Sequence, residues 1–144
     1  MQIKRTGSAQ WSGGLKDGQG TVSTKSGAVS KVKYAFNQRF EDAPGTNPEE
    51  LIGAAHASCF AMAFSGKLGA ANLNAESIDA TSTVTMEKQE VGWTVTAIHL
   101  DVVAKVPGAS ADQFQELAEA AKKGCPISRL LAGSAAITIS AKLA

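Results

Sequence analysis

The chain has 144 residues, of which 44% are hydrophobic and 19% charged, with a formal net charge of +1. That composition fits one globular domain, residues 1–144, able to bury a core without disulfide staples. Acid and base are interspersed with no basic run or aromatic stripe, which argues against nucleic acid as a partner. The opening MQIKRTGSAQ lacks the apolar core of a secretory signal. The longest uncharged run, Leu51 to Gly66, is shorter than the ~20 residues of a membrane span. A cytoplasmic protein with no membrane partner is the expectation, and there the two cysteines are expected to be reduced thiols.

In chain order, the first third reads as short strands around Gln2–Trp11, Thr21–Thr24 and Val32–Phe36, with turns at Ser12-Gly13-Gly14 and Lys25-Ser26-Gly27. Asn37 to Gly45 reads as a polar loop carrying Arg39. A helix follows. Asn47 suits its N-cap, Pro48 the first helical position, and Glu50 the acid of a capping box. Gly69 suits its stop after about Leu68. This helix is apolar almost all round and rich in Ala and Gly, which places it in the centre of a fold.

Ile78, Ala80, Val84 and Met86 then alternate with polar residues. Ile98, Leu100, Val102, Ala104 and Val106 make one face of a returning strand. Ser110 and Gln113 open a helix with the stripe Phe114, Leu117, Ala118 and Ala121. Gly124 stops it, Pro126 starts a short helix to about Leu131, and Ala135 to Leu143 alternate as a last strand. The order β-β-β-α-β-β-α-α-β is α+β, without a βαβ rhythm or an internal repeat.

Two cysteines are the centre of the chemistry. Cys59 lies three turns into the apolar helix, beyond the reach of its N-terminal field, so burial alone leaves its thiol inert. To act as a nucleophile it needs a cation or donors from elsewhere. Cys125, in Gly124-Cys125-Pro126, sits at a helix start, where free N–H groups favour thiolate. Glu49 and Glu50 complement the dipole of the cysteine helix. The ten residues from Glu49 to Cys59 span about 15 Å, so Glu49 acts on that sulfur only by holding a long cation, or on a second copy. Arg39, in the loop just before, is the candidate cation.

Blander readings stand beside each of these: inert packing cysteines, a solvated loop arginine, glutamates that only answer the helix dipole. His56, three residues before Cys59, offers with Cys59 and Cys125 a set of zinc ligands. The spacing is unspecific, and a core histidine with one hydrogen bond is the simpler reading.

The stretch TNPEELIGAAHASCF (Thr46 to Phe60), the later AAKKGCPIS, and the opening pattern of Gly7, Trp11 and Gly20 to Thr24 resemble the OsmC family, relatives of the organic hydroperoxide resistance proteins, in order and over essentially the whole chain. The resemblance implies an OsmC-like fold, with antiparallel sheets wrapped around a central buried cysteine-bearing helix. It also implies an intertwined homodimer whose two sites lie at the subunit interface. The implied activity is that of a cysteine-based peroxidase of oxidative and osmotic stress defence, preferring organic hydroperoxides to hydrogen peroxide.

In that resemblance Cys59 is the attacking thiol and Cys125 the resolving one. Arg39 and Glu49 orient and activate Cys59, with Glu50 nearby, and which glutamate meets Arg39 stays open. The Cys59 pKa is expected well below that of a free thiol, in an apolar surround assigned to Phe36, Phe40, Phe60 and Met62. No bound cofactor or metal is implied, and an external dithiol, of the lipoyl type in relatives, restores the thiols. The alternative is a metal-binding or non-catalytic binding module using His56, Cys59 and Cys125.

Overall fold

A three-stranded antiparallel sheet opens the chain, with β1 (Gly7–Ser12), β2 (Gln19–Thr24) and β3 (Val32–Tyr34) in that spatial order. The structure is a computed structural model and describes residues 1–144. β1 begins later than the alternation from Gln2 suggests, because pairing with β2 runs only from Gly7↔Thr24 to Ser12↔Gln19. Gly20 faces Trp11 in this register. A Cβ there would lie 2.6–2.8 Å from Gln10 O and the Tyr34 and Trp11 rings, and its absence lets those rings approach to 5.5 Å between centroids.

The expected polar loop from Asn37 to Gly45 begins instead as a short helix, α1 (Phe36–Phe40). Phe36 and Phe40 stand one turn apart with ring centroids 4.7 Å from each other, and this contact favours the helical turn over a loop. These elements and the start of the next helix form one unit, Met1–Leu51. None of its hydrophobic side chains is buried.

The cysteine helix, α2 (Pro48–Ala70), starts in this unit and continues unbroken into the second, Ile52–Ala144. Asn47 Oδ1 accepts the Glu50 N–H at 2.8 Å, as an N-cap should. The capping box is not completed, because Glu50 Oε2 accepts from Thr46 Oγ1 at 3.1 Å and leaves the Asn47 N–H alone. Gly53, His56, Phe60, Phe64 and Leu68 form a buried stripe at helical spacing. The helix is not buried all round, as its composition suggests. Ala54, Ala55, Ser58, Met62, Ser65 and Gly66 are exposed, since the chain offers a core to one face only. At 23 residues it is long and apolar enough, by length and composition, to cross a membrane. It exceeds the uncharged run because Glu49, Glu50 and Lys67 are helical too, and its stripe is committed to a protein core.

β4 (Ser77–Gln89) and β5 (Gly92–Lys105) make a hairpin around Glu90-Val91, with Gly92 at φ +117°. Ile98, Leu100, Val102, Ala104 and Val106 are buried, as the alternation predicts. β6 (Ala136–Leu143) runs parallel to β5, from Ala97↔Ala136 to Ala104↔Leu143. The second sheet is therefore mixed, which corrects the expectation of antiparallel sheets without a βαβ unit. α3 (Ala111–Gly124) and α4 (Pro126–Leu131) carry the chain back along the sheet, and that return makes the last pairing parallel.

Ser110 Oγ caps α3 by accepting the Gln113 N–H at 3.2 Å. Phe64 lies 5.6 Å from Phe60 and 5.3 Å from Phe114, ring to ring, at the middle of the core. α2 and the α3–α4 junction are both anchored there, and they carry the two cysteines.

Candidate active site

Cys125 occupies the corner between two helices. Gly124 ends α3, Pro126 takes the first position of α4, and Cys125 serves both as C-cap and N-cap. Its N–H donates to Ala121 O at 2.9 Å and its carbonyl accepts the Arg129 N–H at 3.0 Å. Cys125 is fully buried, while Cys59, next to the core residue Phe60 on α2, is half-buried. The two sulfurs lie 2.6 Å apart, both as free thiols. Small side-chain shifts suffice for a disulfide.

Burial is the largest influence on the Cys59 thiol and pushes its pKa up, and the neighbouring Cys125 pushes the same way. The Ile127 N–H, in the first turn of α4, donates to this sulfur and opposes them, but the net direction is upward. The expected depressed Cys59 pKa is thus corrected for the single chain. A thiol in apolar surroundings, facing a second thiol, favours its protonated form, and one N–H does not outweigh that. One of the helix-start donors expected to serve Cys125, the Ile127 N–H, reaches Cys59 instead.

His56 is fully buried one turn before Cys59. Its Nδ1 lies 2.8 Å from Ser82 Oγ on β4, and its Nε2 lies 2.7 Å from Ser128 Oγ on α4. It therefore makes two hydrogen bonds where the sequence reading expects one. A neutral imidazole is fully satisfied here, one nitrogen donating and the other accepting. Desolvation lowers its pKa from the usual 6.5, which favours that neutral form. With both nitrogens engaged by hydroxyls, His56 is not presented to a metal, and no three His, Cys, Asp or Glu side chains gather into a ligand set.

Within residues 1–51, Arg39 is held by Glu49. Nη2 donates to Oε1 at 2.8 Å, and Nε lies 3.2 Å from both carboxylate oxygens. This answers which glutamate meets Arg39: Glu49 does, while Glu50 is bonded to Thr46 and Asn47. The Arg39 guanidinium carbon also sits 5.3 Å from the centroid of the Phe40 ring. Trp11, Leu15, Tyr34, Phe36 and Phe40 line a cleft of about 280 Å³ beside it. Of the apolar residues assigned to surround Cys59, Phe60 belongs to the core and Met62 is exposed on the far face of α2.

The structure therefore gathers the predicted site residues into two groups. Cys59 meets Cys125 in the second unit, with His56 one turn away on α2 and bonded to serines, and Arg39 meets Glu49 in the first. Ser82, Ser128 and the Ile127 N–H, missed in the sequence, join the thiol group. No spacing links Ser82 or Ser128 to His56 along the chain, and only the packing of α2 between β4 and α4 connects them.

A family model described as OsmC-like protein matches residues 40–140. The chain is 48% identical over 143 residues to the peroxiredoxin OsmC of Escherichia coli K12, covering 99% of both. It is 27% identical over 124 residues to the organic hydroperoxide resistance protein OhrB of Bacillus subtilis, covering 85% of this chain and 89% of that one. The crystal structure of an OsmC-like protein from Mycoplasma pneumoniae superposes with a TM-score of 0.78 at 16% identity, covering 99% of each chain, and so shares the fold. With the family model matching most of the chain and a near full-length relative at this identity, the chain belongs to the OsmC family.

Proposed function

We propose that this chain is a thiol-dependent peroxidase that reduces organic hydroperoxides, with Cys59 as the attacking and Cys125 as the resolving thiol. Family membership supports the activity: one relative is named a peroxiredoxin and another for organic hydroperoxide resistance. The observation that carries the residue roles is the 2.6 Å approach of the Cys59 sulfur on α2 to the Cys125 sulfur at the α3–α4 corner. The Cys59 thiolate attacks the distal oxygen of ROOH, the O–O bond breaks, alcohol leaves, and a sulfenic acid remains. Cys125 then bonds to that sulfur and water leaves. A dithiol reduces the resulting disulfide by exchange, and a lipoyl-type compound suits that step.

Residues 52–144 supply little of what thiolate formation requires. Moving a thiol from pKa ~8.5 to near 6 takes roughly 3 kcal/mol of preferential thiolate stabilisation. Burial of Cys59 works against this. Arg39, held by Glu49 with Glu50 ordering the same helix start, is the suited cation, and we assign it to Cys59 of a second copy in an intertwined homodimer. Two observations support such a partner: the uncovered face of α2, and a first unit with no buried hydrophobic side chain. The aromatic cleft beside Arg39 fits an alkyl group better than the two oxygens of hydrogen peroxide, which supports the preference for organic substrates. Residues 1–144 act as one OsmC-like domain in this reading, since α2 runs unbroken through both units.

The test is turnover of cumene or tert-butyl hydroperoxide with a dithiol present. Wild type consumes the hydroperoxide, Cys59→Ser does not, and Cys125→Ser stalls after one oxidation. Full activity in Cys59→Ser would remove the proposal. For the dimer, light scattering should return twice the 14.8 kDa of one chain. A monomer would move the activating cation back to the same chain.

A further inference from the structure

α2 and α4 meet at two rungs. On one, the Cys59 and Cys125 sulfurs are 2.6 Å apart. On the other, three residues away along each helix, His56 Nε2 and Ser128 Oγ are 2.7 Å apart. The pairing 56 with 128 and 59 with 125 means that the two helices run in opposite directions here. A third arm ties the histidine to the sheet, through Nδ1 and Ser82 Oγ at 2.8 Å. Gly53, one turn earlier on α2, brings the helix onto β4: a Cβ there would lie 2.7 Å from Ser82 O. His56 and Ser128 are buried, and the proposed peroxidase chemistry uses neither.

The redox rung has to open and close in every cycle. Cys125 has to stay close while the half-buried Cys59 sulfur is oxidised, and then move from 2.6 Å to bonding distance. The hydrogen-bonded rung changes no covalent bond in that cycle. It sits one turn of α4 beyond Cys125, where it limits how far the corner can swing.

We propose that the His56–Ser128 rung is a pivot that keeps Cys125 within reach of oxidised Cys59, making His56 and Ser128 positioning residues that decide between disulfide closure and overoxidation. The inference rests on the assignment of Cys59 as attacking and Cys125 as resolving thiol. In closure the Cys125 sulfur bonds to the Cys59 sulfur, the S–O bond breaks, and the oxygen leaves as water with the proton of the sulfenic acid and that of the Cys125 thiol. In overoxidation a second ROOH transfers its oxygen to the same sulfur, giving sulfinic acid and a second alcohol. A looser pivot slows the first path and leaves the second untouched.

The experiment mixes reduced full-length protein with increasing tert-butyl hydroperoxide in the absence of reductant. Free thiols are then alkylated and intact masses read. In wild type, Cys59 passes almost entirely to disulfide. In Ser128→Ala the ratio of sulfinic acid to disulfide rises about tenfold, the scale of one lost buried hydrogen bond. His56→Leu behaves the same way, and His56→Gln, which keeps a donor and an acceptor, recovers part of the loss. Loss of the Cys59 thiol itself stays close to the wild-type rate, a separation that general destabilisation would not produce. Folded Ser128→Ala and His56→Leu with wild-type ratios overturn the proposal, and so does failure of both to fold, which would make the network a stability element. If wild type itself leaves Cys59 unoxidised, the peroxidase assignment fails rather than the pivot.

Discussion

Residues 1–51 and residues 52–144 meet the need for burial in opposite ways. The second unit closes a core on its own, with Phe60, Phe64, Leu68, Leu100 and Phe114 shielded completely from solvent. The first unit has strands, a short helix and an ion pair, yet its only buried residues are Gly18 and Gly20. Three strands need an apolar face packed against something to be stable. The thiols lie in the self-sufficient half, and the cation proposed to activate them lies in the half without a core. In the proposed mechanism chemistry and activation would fall under different structural controls, and the variants below test that division.

The largest effect is expected at the centre of the second unit. Phe64→Ala removes a fully buried ring in contact with Phe60 and Phe114, and should cost about 3–5 kcal/mol in urea unfolding. A loss below about 1 kcal/mol would show that this core is not the source of stability.

Gly53→Ala comes next. Its methyl would meet Ser82 O at 2.7 Å, against backbone that cannot turn away, so a loss of about 1–3 kcal/mol is expected. Unchanged melting would mean that α2 and β4 are not held that closely.

The pH dependence of melting sharpens the same contrast, because the shifted groups all lie in the second unit. His56 titrates below its ordinary 6.5 in the fold, so on acidification the unfolded chain binds the proton first. Stability is therefore complete above pH 6.5 and falls as the pH drops through it. In Arg39→Ala, where burial acts on the thiol without the proposed cation, Cys59 is shifted up from 9.0, so on raising the pH the unfolded chain releases its proton first, and stability falls above pH 9.0. Thermal melts across this range read both limbs. Adding Cys59→Ser to Arg39→Ala should flatten the alkaline one, and a flat acid limb would remove the buried neutral histidine.

The smallest effect on stability belongs to the first unit. Arg39→Ala breaks an ion pair whose arginine is 38% exposed, and should cost under about 1 kcal/mol. Its turnover should nonetheless fall well below wild type, with the Cys59 alkylation pKa rising. Unchanged turnover would separate Arg39 from the thiol chemistry.

Much of the second unit was legible because its signals are local. The alternation from Ile98 to Val106, the stripe Phe114-Ala118-Ala121 and the cap at Ser110 each depend on spacing or on a single hydrogen bond nearby. The helix at Phe36–Phe40 was harder, because the polar residues between its two aromatics read as loop. The parallel pairing of β6 could not be read at all, since nothing in its alternation says which way a strand will run.

From sequence alone came the periodicities, the helix starts, the two cysteine motifs and the family they resemble, all of which reside in near neighbours along the chain. Tertiary structure alone decided that Cys59 and Cys125 touch, that Glu49 rather than Glu50 holds Arg39, and that His56 is shared by Ser82 and Ser128. Within the single chain it also set the direction of the Cys59 pKa upward, through burial. The physical reason is common to all of these. Distances between residues remote in sequence, and the desolvation of a charge, depend on which elements pack together, and no stretch of local sequence carries that information.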